Sequence, residues 1–204
     1  RLPEGEIPQA MALIVNKTGV DMLTKANLSH YQMLAEVERI FKKWSPAIFL
    51  GWSNIGFDDE MIRKEFFKGI RYPYITNASP NKRTDGLNIA RAAYAVDPKV
   101  LETETNEKGN AVMKLESLAR MNGFESGGAH SALFDAELTV KVLGLIKRKQ
   151  QDNWNSFLKT ASRVDAETVF KKENIITLNE YFYGKSRLYL CAPLNPKYCV
   201  HPVY

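Results

Sequence analysis

The sequence contains few cysteines and no long apolar run. Cys191 and Cys199 are the only cysteines among 204 residues, which is too few for a disulfide framework. Together with His201 they supply three ligands, whereas a structural zinc site takes four, so we interpret both as ordinary residues. No stretch of about 20 consecutive apolar residues occurs, and the first residues do not have the pattern of a signal peptide. From these absences we expect a soluble, cytoplasmic protein without a membrane span.

Apolar residues and positive charge are abundant. Apolar residues make up 45% of the sequence, which is enough for a hydrophobic core in one domain, or in one domain and the start of another. The net charge is +5 and the isoelectric point is near 9.1. This balance favours a polyanionic partner such as a nucleic acid, although a solvated basic surface would give the same values.

Helical and strand patterns alternate along the chain. The run AIFLGWS at 47–53 is continuously apolar, which predicts a strand of a parallel sheet that is buried on both faces. Ser29 is the predicted N-cap of a helix that ends at Trp44. Further helices are predicted near residues 7–16, 57–68, 85–96, 113–123 and 131–149, with a loop at 69–84.

The composition of the chain changes near residue 179. Residues 150–178 are polar with a helical pattern, whereas residues 179–204 contain tyrosine, proline and short apolar runs that are typical of β structure. We therefore predict two domains, at 1–178 and 179–204, with the second one only begun.

Two helices are predicted to turn a carboxylate toward their apolar side. Asp135 shares an arc with Thr139 and Leu143 on one helix, and Asp58 aligns with Ile62 on another. A buried carboxylate without a partner is destabilising, so each needs a cation, a set of N–H donors or a wet cleft. N-capping is an alternative for Asp58, and a salt bridge or an exposed edge position is an alternative for Asp135.

His130 precedes the helix of Asp135 and follows two glycines, Gly127 and Gly128. An imidazole with a pKa near 6.5 is suited to remove a proton from water, although a lone histidine in a loop is more often incidental. Carboxylate oxygens are ligands for Mg²⁺ or Mn²⁺, and a pair of such ions stabilises the attacking and leaving oxygens of a phosphodiester. In a basic chain, this set of residues predicts metal-assisted hydrolysis of nucleic acid.

Two short motifs resemble the second and third motifs of the DEDDh 3′-to-5′ exonucleases. They are Asn54-x-x-Phe57-Asp58 and His130-x-Ala132-x-x-Asp135, in the expected order. Either motif alone is weak, because such spacings occur often by chance. The segments NIGFDDEMIRKEFF, DGLNIARAAYA, KLESLARMNGFE and GAHSALFDAELT resemble the exonuclease I branch, which are processive bacterial exonucleases of single-stranded DNA. The similarity extends from about residue 2 to residue 202.

This resemblance implies an α/β ribonuclease H-like exonuclease fold and the release of nucleoside 5′-monophosphates from single-stranded DNA. Asp58 and Asp135 match the family's ligands of two Mg²⁺ or Mn²⁺ ions, and His130 matches its general base. The residues at DNA-binding positions are Asn54, Phe57, Arg63, Tyr74, Arg91 and Lys114. The segment SRLYLCAPLNPKYCVHPVY resembles the start of the family's SH3-like domain. An exoribonuclease and a non-catalytic nucleic-acid-binding module are the alternatives.

The chain departs from the family pattern at its N-terminal side. The family's first motif is an Asp-x-Glu pair on the first strand, and Glu4-Gly5-Glu6, which has that spacing, lies between prolines. We therefore expect an exonuclease fold without its first three strands, in which the strand at 47–53 has a free edge. Two carboxylates alone should give little or no hydrolysis. The free edge predicts self-association unless another segment supplies the strands.

Overall fold

The computed structural model describes residues 5–124 and 132–194. Its first elements are α1 (Ala10–Val15) and α2 (Val20–Thr24), and neither contains a buried residue. Helix α1 lies within the helix predicted at 7–16. Helix α2 is not predicted, because five residues are too few to show a helical period. Within the described ranges, no helix combines the length and the apolar character that crossing a membrane requires.

Helix α3 (His30–Trp44) begins at the predicted N-cap. The Ser29 hydroxyl accepts a hydrogen bond from the Gln32 N–H at 3.2 Å, and the Gln32 side chain accepts one from the Ser29 N–H at 2.9 Å. This capping box satisfies N–H groups that the start of a helix otherwise leaves without partners. Leu34 then packs α3 against Phe66 in a small buried cluster.

Strands β1 (Ile48–Gly51) and β2 (Lys82–Asp85) form a parallel two-stranded sheet, paired residue by residue from the first to the last of each. The predicted parallel sheet is confirmed. The loop predicted at 69–84 is wrong at its end, where β2 forms. The sequence Lys-Arg-Thr-Asp has no apolar alternation to mark a strand, so the pattern shows no sign of it.

The two faces of β1 differ in their surroundings. Phe49 packs edge-on against Phe41 of α3, with ring centroids 4.8 Å apart. On the other face Ile48 and Leu50 are 42% and 41% exposed, so the prediction that both faces are buried is wrong. Only β2 pairs with β1 in the part of the chain that the structure describes. A sheet of two strands is too small to keep the apolar side chains of β1 covered on both faces.

The central helices follow the predicted boundaries closely. Helix α4 (Asp58–Lys68) and helix α5 (Gly86–Val96) fall within the predicted ranges, and the Asp85 carboxylate caps α5 by accepting from the Leu87 N–H at 2.8 Å. A short 3-10 turn (Pro98–Val100) follows α5.

The main core lies between α5, α6 (Leu115–Met121) and α7 (Ala132–Lys149). Gly123 ends the α6 region with a φ of +76°, which favours glycine. The buried side chains of this core are Ile89, Ala90, Ala93, Val100, Leu101, Leu118, Ala119, Leu138, Val142, Leu143 and Ile146. They form the larger of the two buried apolar clusters in the described chain.

The C-terminal part contains α8 (Gln151–Phe157), α9 (Arg163–Lys172) and an antiparallel hairpin of β3 (Ile176–Phe182) and β4 (Lys185–Cys191). The helical stretch and the later change to β structure agree with the sequence pattern, although β3 starts ahead of residue 179. The division into two domains stays a prediction.

Candidate active site

One cleft lies at the carboxyl end of β1, beside the first turns of α4, α6 and α7. In parallel α/β sheets, ligands bind at this end of the strands. The cleft has a volume of about 540 Å³. Its lining residues come from β1, its following loop and the three helices: Leu50, Gly51, Trp52, Asp58, Lys114, Leu115, Glu116, Ala132, Asp135, Ala136, Thr139 and Val140.

Asp58 and Asp135 both line this cleft, but neither is buried. Asp58 is the first residue of α4 and Asp135 lies in the first turn of α7, and both are exposed. The prediction that each carboxylate lies on the buried side of its helix is therefore wrong, whereas the water-filled cleft is one of the surroundings that the sequence analysis allows. A carboxylate in the first turn of a helix is stabilised by the positive end of the helix dipole, and it needs no further partner while it faces water.

The buried carboxylate of α4 is Asp59, which is 5% exposed. Its Oδ2 accepts a hydrogen bond from the Asn54 side-chain amide at 2.9 Å and lies 3.4 Å from the Arg83 Nε. Burial raises the pKa of Asp59 above its usual value, while Arg83 and Asn54 act to lower it. A signal for this arrangement is present in the sequence, because Ile62 and Phe66 follow Asp59 at helical spacing on the same side.

Two charged residues of the α6 start complete the cleft. Lys114, which the family resemblance assigns to DNA binding, lines the cleft and is exposed. Glu116 lines it as well and is not among the predicted site residues. Glu116 lies two residues after Lys114, in the first turn of α6, and this proximity to a predicted site residue could have indicated it. The cleft therefore presents carboxylates from three helices and one ammonium group.

Other predicted site residues lie outside the lining of the cleft. Asn54 is 5% exposed and bonded to Asp59, so it has no open surface for a phosphate, whereas Phe57 is 68% exposed beside Asp58. Arg63 pairs with Glu60, and this contact and a hydrogen bond to Tyr74 raise the pKa of Arg63.

The remaining two predicted site residues are Arg91 and His130. Arg91 lies on α5 with its guanidinium carbon 3.6 Å from the centre of the Tyr181 ring, so the hairpin covers it. His130 lies outside the described residues. Its assignment as the general base therefore stays a prediction.

The carboxylates of the cleft are the type of ligand that a divalent ion prefers, but there are too few of them to complete its coordination. Hard oxygen donors such as Asp58 and Asp135 suit Mg²⁺ or Mn²⁺, which take about six ligands. In the described ranges, no three side chains of histidine, cysteine, aspartate or glutamate form a group that could hold an ion. The described residues by themselves therefore do not form a complete metal site.

Comparison with known proteins agrees with the motifs. No protein-family model matches the chain. The chain is 29% identical over 180 residues to exodeoxyribonuclease I of Buchnera aphidicola subsp. Schizaphis graminum, a match that covers 86% of this chain and 37% of that protein. It is 35% identical over 102 residues to exodeoxyribonuclease I of Escherichia coli K12, a match that covers 50% of this chain and 22% of that protein. The chain thus spans well under half the length of these relatives.

Solved structures of Escherichia coli exonuclease I have a similar fold. The complex with a dA16 oligonucleotide matches 74% of this chain and 32% of that chain, with a TM-score of 0.67 and 27% identity. The complex with a dT13 oligonucleotide matches 94% of this chain and 43% of that chain, with a TM-score of 0.79 and 22% identity. A zinc-bound form of the complex with single-stranded DNA matches 74% of this chain and 32% of that chain, with a TM-score of 0.67 and 26% identity.

These matches confirm the resemblance to the exonuclease I branch and the α/β exonuclease fold that it implies. The SH3-like start at the C-terminal side stays a prediction.

Proposed function

We propose that the cleft is part of the active site of a 3′-to-5′ exonuclease that hydrolyses single-stranded DNA to nucleoside 5′-monophosphates. The observation that supports this most is the position of Asp58 and Asp135, which belong to helices far apart in sequence and line one cleft with Lys114. The relatives of the chain are named exodeoxyribonuclease I, and several of its structural neighbours are complexes with an oligonucleotide or with single-stranded DNA. We place the enzyme in the bacterial cytoplasm.

Three charged residues of the cleft have proposed roles, as do Phe57 and His130. Asp58 and Asp135 would contribute oxygen ligands to Mg²⁺ or Mn²⁺, with two ions in the complete site. Such ions, when bound, lower the pKa of water and stabilise negative charge on the leaving oxygen. Lys114 attracts a phosphate of the DNA backbone. Phe57 offers an exposed ring on which a base can stack, and His130 would take the proton from the attacking water.

A non-catalytic nucleic-acid-binding module is the second candidate. It is favoured by the finding that the described residues include no group of three side chains that could hold an ion. For the same reason we expect the chain by itself to bind DNA and to show little or no hydrolysis. An exoribonuclease would share the cleft chemistry and differ in the sugar that it accepts.

A binding measurement tests the role of the cleft. We would follow a fluorescent oligothymidylate by anisotropy with and without Mn²⁺, using Asp58→Asn, Asp135→Asn and the control Glu137→Gln, which lies on α7 outside the cleft lining. Both cleft variants should weaken the Mn²⁺-dependent part of binding about tenfold, and the control should not. Equal binding by all three variants would remove the cleft from the proposal.

Hydrolysis and competition separate the remaining alternatives. Release of nucleotides from 3′-labelled DNA should be close to the background rate with Mg²⁺. Robust release that His130→Ala abolishes would show that two carboxylates suffice, against our expectation. Tighter competition by oligouridylate than by oligothymidylate would favour an exoribonuclease.

We also propose that the free edge of β1 mediates self-association in the absence of further strands. Among the described residues only β2 pairs with β1, and a strand edge without a partner that carries exposed apolar side chains such as Ile48 and Leu50 is prone to pair with another strand. Light scattering should show a mass above 23.2 kDa. A well-folded monomer of that mass would exclude the idea.

A further inference from the structure

The loop between β1 and α4, residues 52–57, determines where Asp58 lies in the cleft. The N-cap of α4 is Phe57, whose side chain accepts no hydrogen bond from the helix, so the usual side-chain cap is not formed. Instead, the backbone carbonyl of Asn54 accepts from the Phe57 N–H at 3.2 Å and from the Asp59 N–H at 3.0 Å. The start of α4 is therefore ordered by Asn54 and not by a helix cap.

Side-chain contacts complete this arrangement and link it to β2. The Asn54 amide donates to the Asp59 carboxylate at 2.9 Å, which closes a ring between the loop and the first turn of α4. Arg83 on β2 lies 3.4 Å from the same carboxylate oxygen and is 22% exposed. Asn54 and Asp59 are each 5% exposed, so water competes little for these contacts.

A second residue of β2 holds the other end of the loop. Asp85 lies two residues after Arg83, hence on the same side of the strand. Its Oδ1 accepts from the Ser53 N–H at 3.0 Å, where Ser53 has a φ of +59°, an uncommon value for a residue with a side chain. The loop also packs closely on itself, because a Cβ at Gly51 would lie 2.9 Å from the Asn54 Cβ.

We propose that Asn54, Asp59 and Arg83 are positioning residues that fix Asp58 in the cleft opposite Asp135. The proposal rests on the proposed function of the cleft. A residue that must present its carboxylate to a ligand gains from neighbours whose own rotamers are locked. Asp58 is exposed, so its place is determined by the backbone on either side of it and not by packing of its own side chain.

The strand β2 supplies a matched control. Lys82 precedes Arg83 and forms an ion pair with Asp165 at 2.7 Å. It therefore resembles Arg83 in being a basic residue of β2 paired with an aspartate, but its partner lies on α9 and not beside the loop that precedes Asp58. Lys82→Met removes a basic residue and its more exposed ion pair from the same strand and should leave the loop unchanged.

Hydrogen exchange measures the loop directly in the full chain. Arg83→Met and Asp59→Asn should each speed amide exchange of residues 51–58 by about tenfold relative to the parent, because the loop opens locally without global unfolding. Lys82→Met should change it by less than about twofold, and exchange in α6 should stay constant in all variants. Unchanged exchange at 51–58 in both loop variants would overturn the proposal.

Metal affinity measures the consequence for Asp58. Free Mn²⁺ is quantified by electron paramagnetic resonance in the presence of protein and oligothymidylate. Arg83→Met and Asp58→Asn should each weaken Mn²⁺ binding about tenfold, with Arg83→Lys intermediate and Lys82→Met unchanged. If Asp58→Asn weakens Mn²⁺ binding and Arg83→Met does not, the positioning role is excluded while the proposed function stands. If Asp58→Asn itself has no effect, both are excluded.

The double variant Asp59→Asn with Arg83→Met separates a positioning role of Arg83 from a general loss of stability. Arg83→Met leaves a buried carboxylate without its cation, whereas removal of both charges relieves that cost. The double variant should recover thermal stability relative to Arg83→Met and keep the fast exchange at 51–58. Recovery of both properties together would show that Arg83 acts only through stability, against the proposal.

Discussion

The two sides of α5 are packed in different ways. One side places Ile89, Ala90 and Ala93 in the main core against α6 and α7, where each is at most 3% exposed. The other side meets the β3–β4 hairpin through Arg91, which stacks on Tyr181. A cavity of about 340 Å³ lies between α5, the turn near residue 110 and the tip of the hairpin.

Polar groups without partners are concentrated at this second side. Four buried side-chain atoms on α5, the turn and the hairpin have no hydrogen-bond partner within the described part of the chain: Arg91 Nε, Asn110 Oδ1, Asn179 Oδ1 and Ser186 Oγ. A buried polar group without a partner is destabilising, so these atoms offset part of the favourable packing of the hairpin on α5. From this contrast we expect the helical core to contribute more to the stability of the described chain than the hairpin does.

The largest effect is expected in the core. Leu118 of α6 is 0% exposed, so Leu118→Ala leaves a cavity and should lower the free energy of unfolding by about 2–5 kcal/mol. Urea denaturation measures the change. Leu133→Ala, at a position 71% exposed on α7, is the control and should change stability by less than about 0.5 kcal/mol. Similar losses for both variants would contradict the position of the core.

The hairpin tip should show an intermediate effect. Gly184 has a φ of +77°, and a Cβ there would lie 2.7 Å from the Asn110 side-chain nitrogen. Gly109 has a φ of +72° and open space around it. Gly109→Ala should cost about 1 kcal/mol from backbone strain alone, and Gly184→Ala should cost more because the buried amide must also move. Equal losses in thermal unfolding would show that the tip does not press on Asn110.

A smaller effect is expected from Glu104, which ties the segment before Asn110 to α6. Its carboxylate accepts from the Ser117 hydroxyl at 2.7 Å and pairs with Arg120, and these contacts lower the pKa of Glu104. Their contribution is present above the unfolded pKa, about 4.3, and is lost as the pH falls through the lower folded value. Glu104→Gln should therefore flatten the fall of stability in acid. An unchanged pH profile would argue against the contact.

The smallest effect is expected from Arg91. Arg91→Met removes a cation–π contact worth about 0.5–1 kcal/mol, but it also removes a buried N–H that has no partner among the described residues. The free energy of unfolding should change by less than about 0.5 kcal/mol. Binding of oligothymidylate should be unaffected if Tyr181 covers the guanidinium, whereas a clear loss would restore Arg91 to the DNA-binding residues that the family resemblance implies.

Much of the fold was predictable because its signals are local. The capping residues Ser29 and Asp85, the helical periods of α3 and α5 and the glycine at 123 each act within a few residues of themselves, so the sequence displays them directly. Strand β2 was not predictable in this way. Its polar side chains are satisfied by Asp59 and Asp165, which are distant in sequence.

The candidate site shows the same division. The order of the amino acids establishes which chemical groups are available, namely the aspartates of two motifs and the lysine before α6. Only the packing of the helices places Asp58 and Asp135 in one cleft with Glu116 and makes Asp59 the buried member of its pair. Helical periodicity fixes the angle between neighbouring side chains around the helix axis. Which side of the helix faces the interior depends on the elements that pack against it, and only folding brings those elements together.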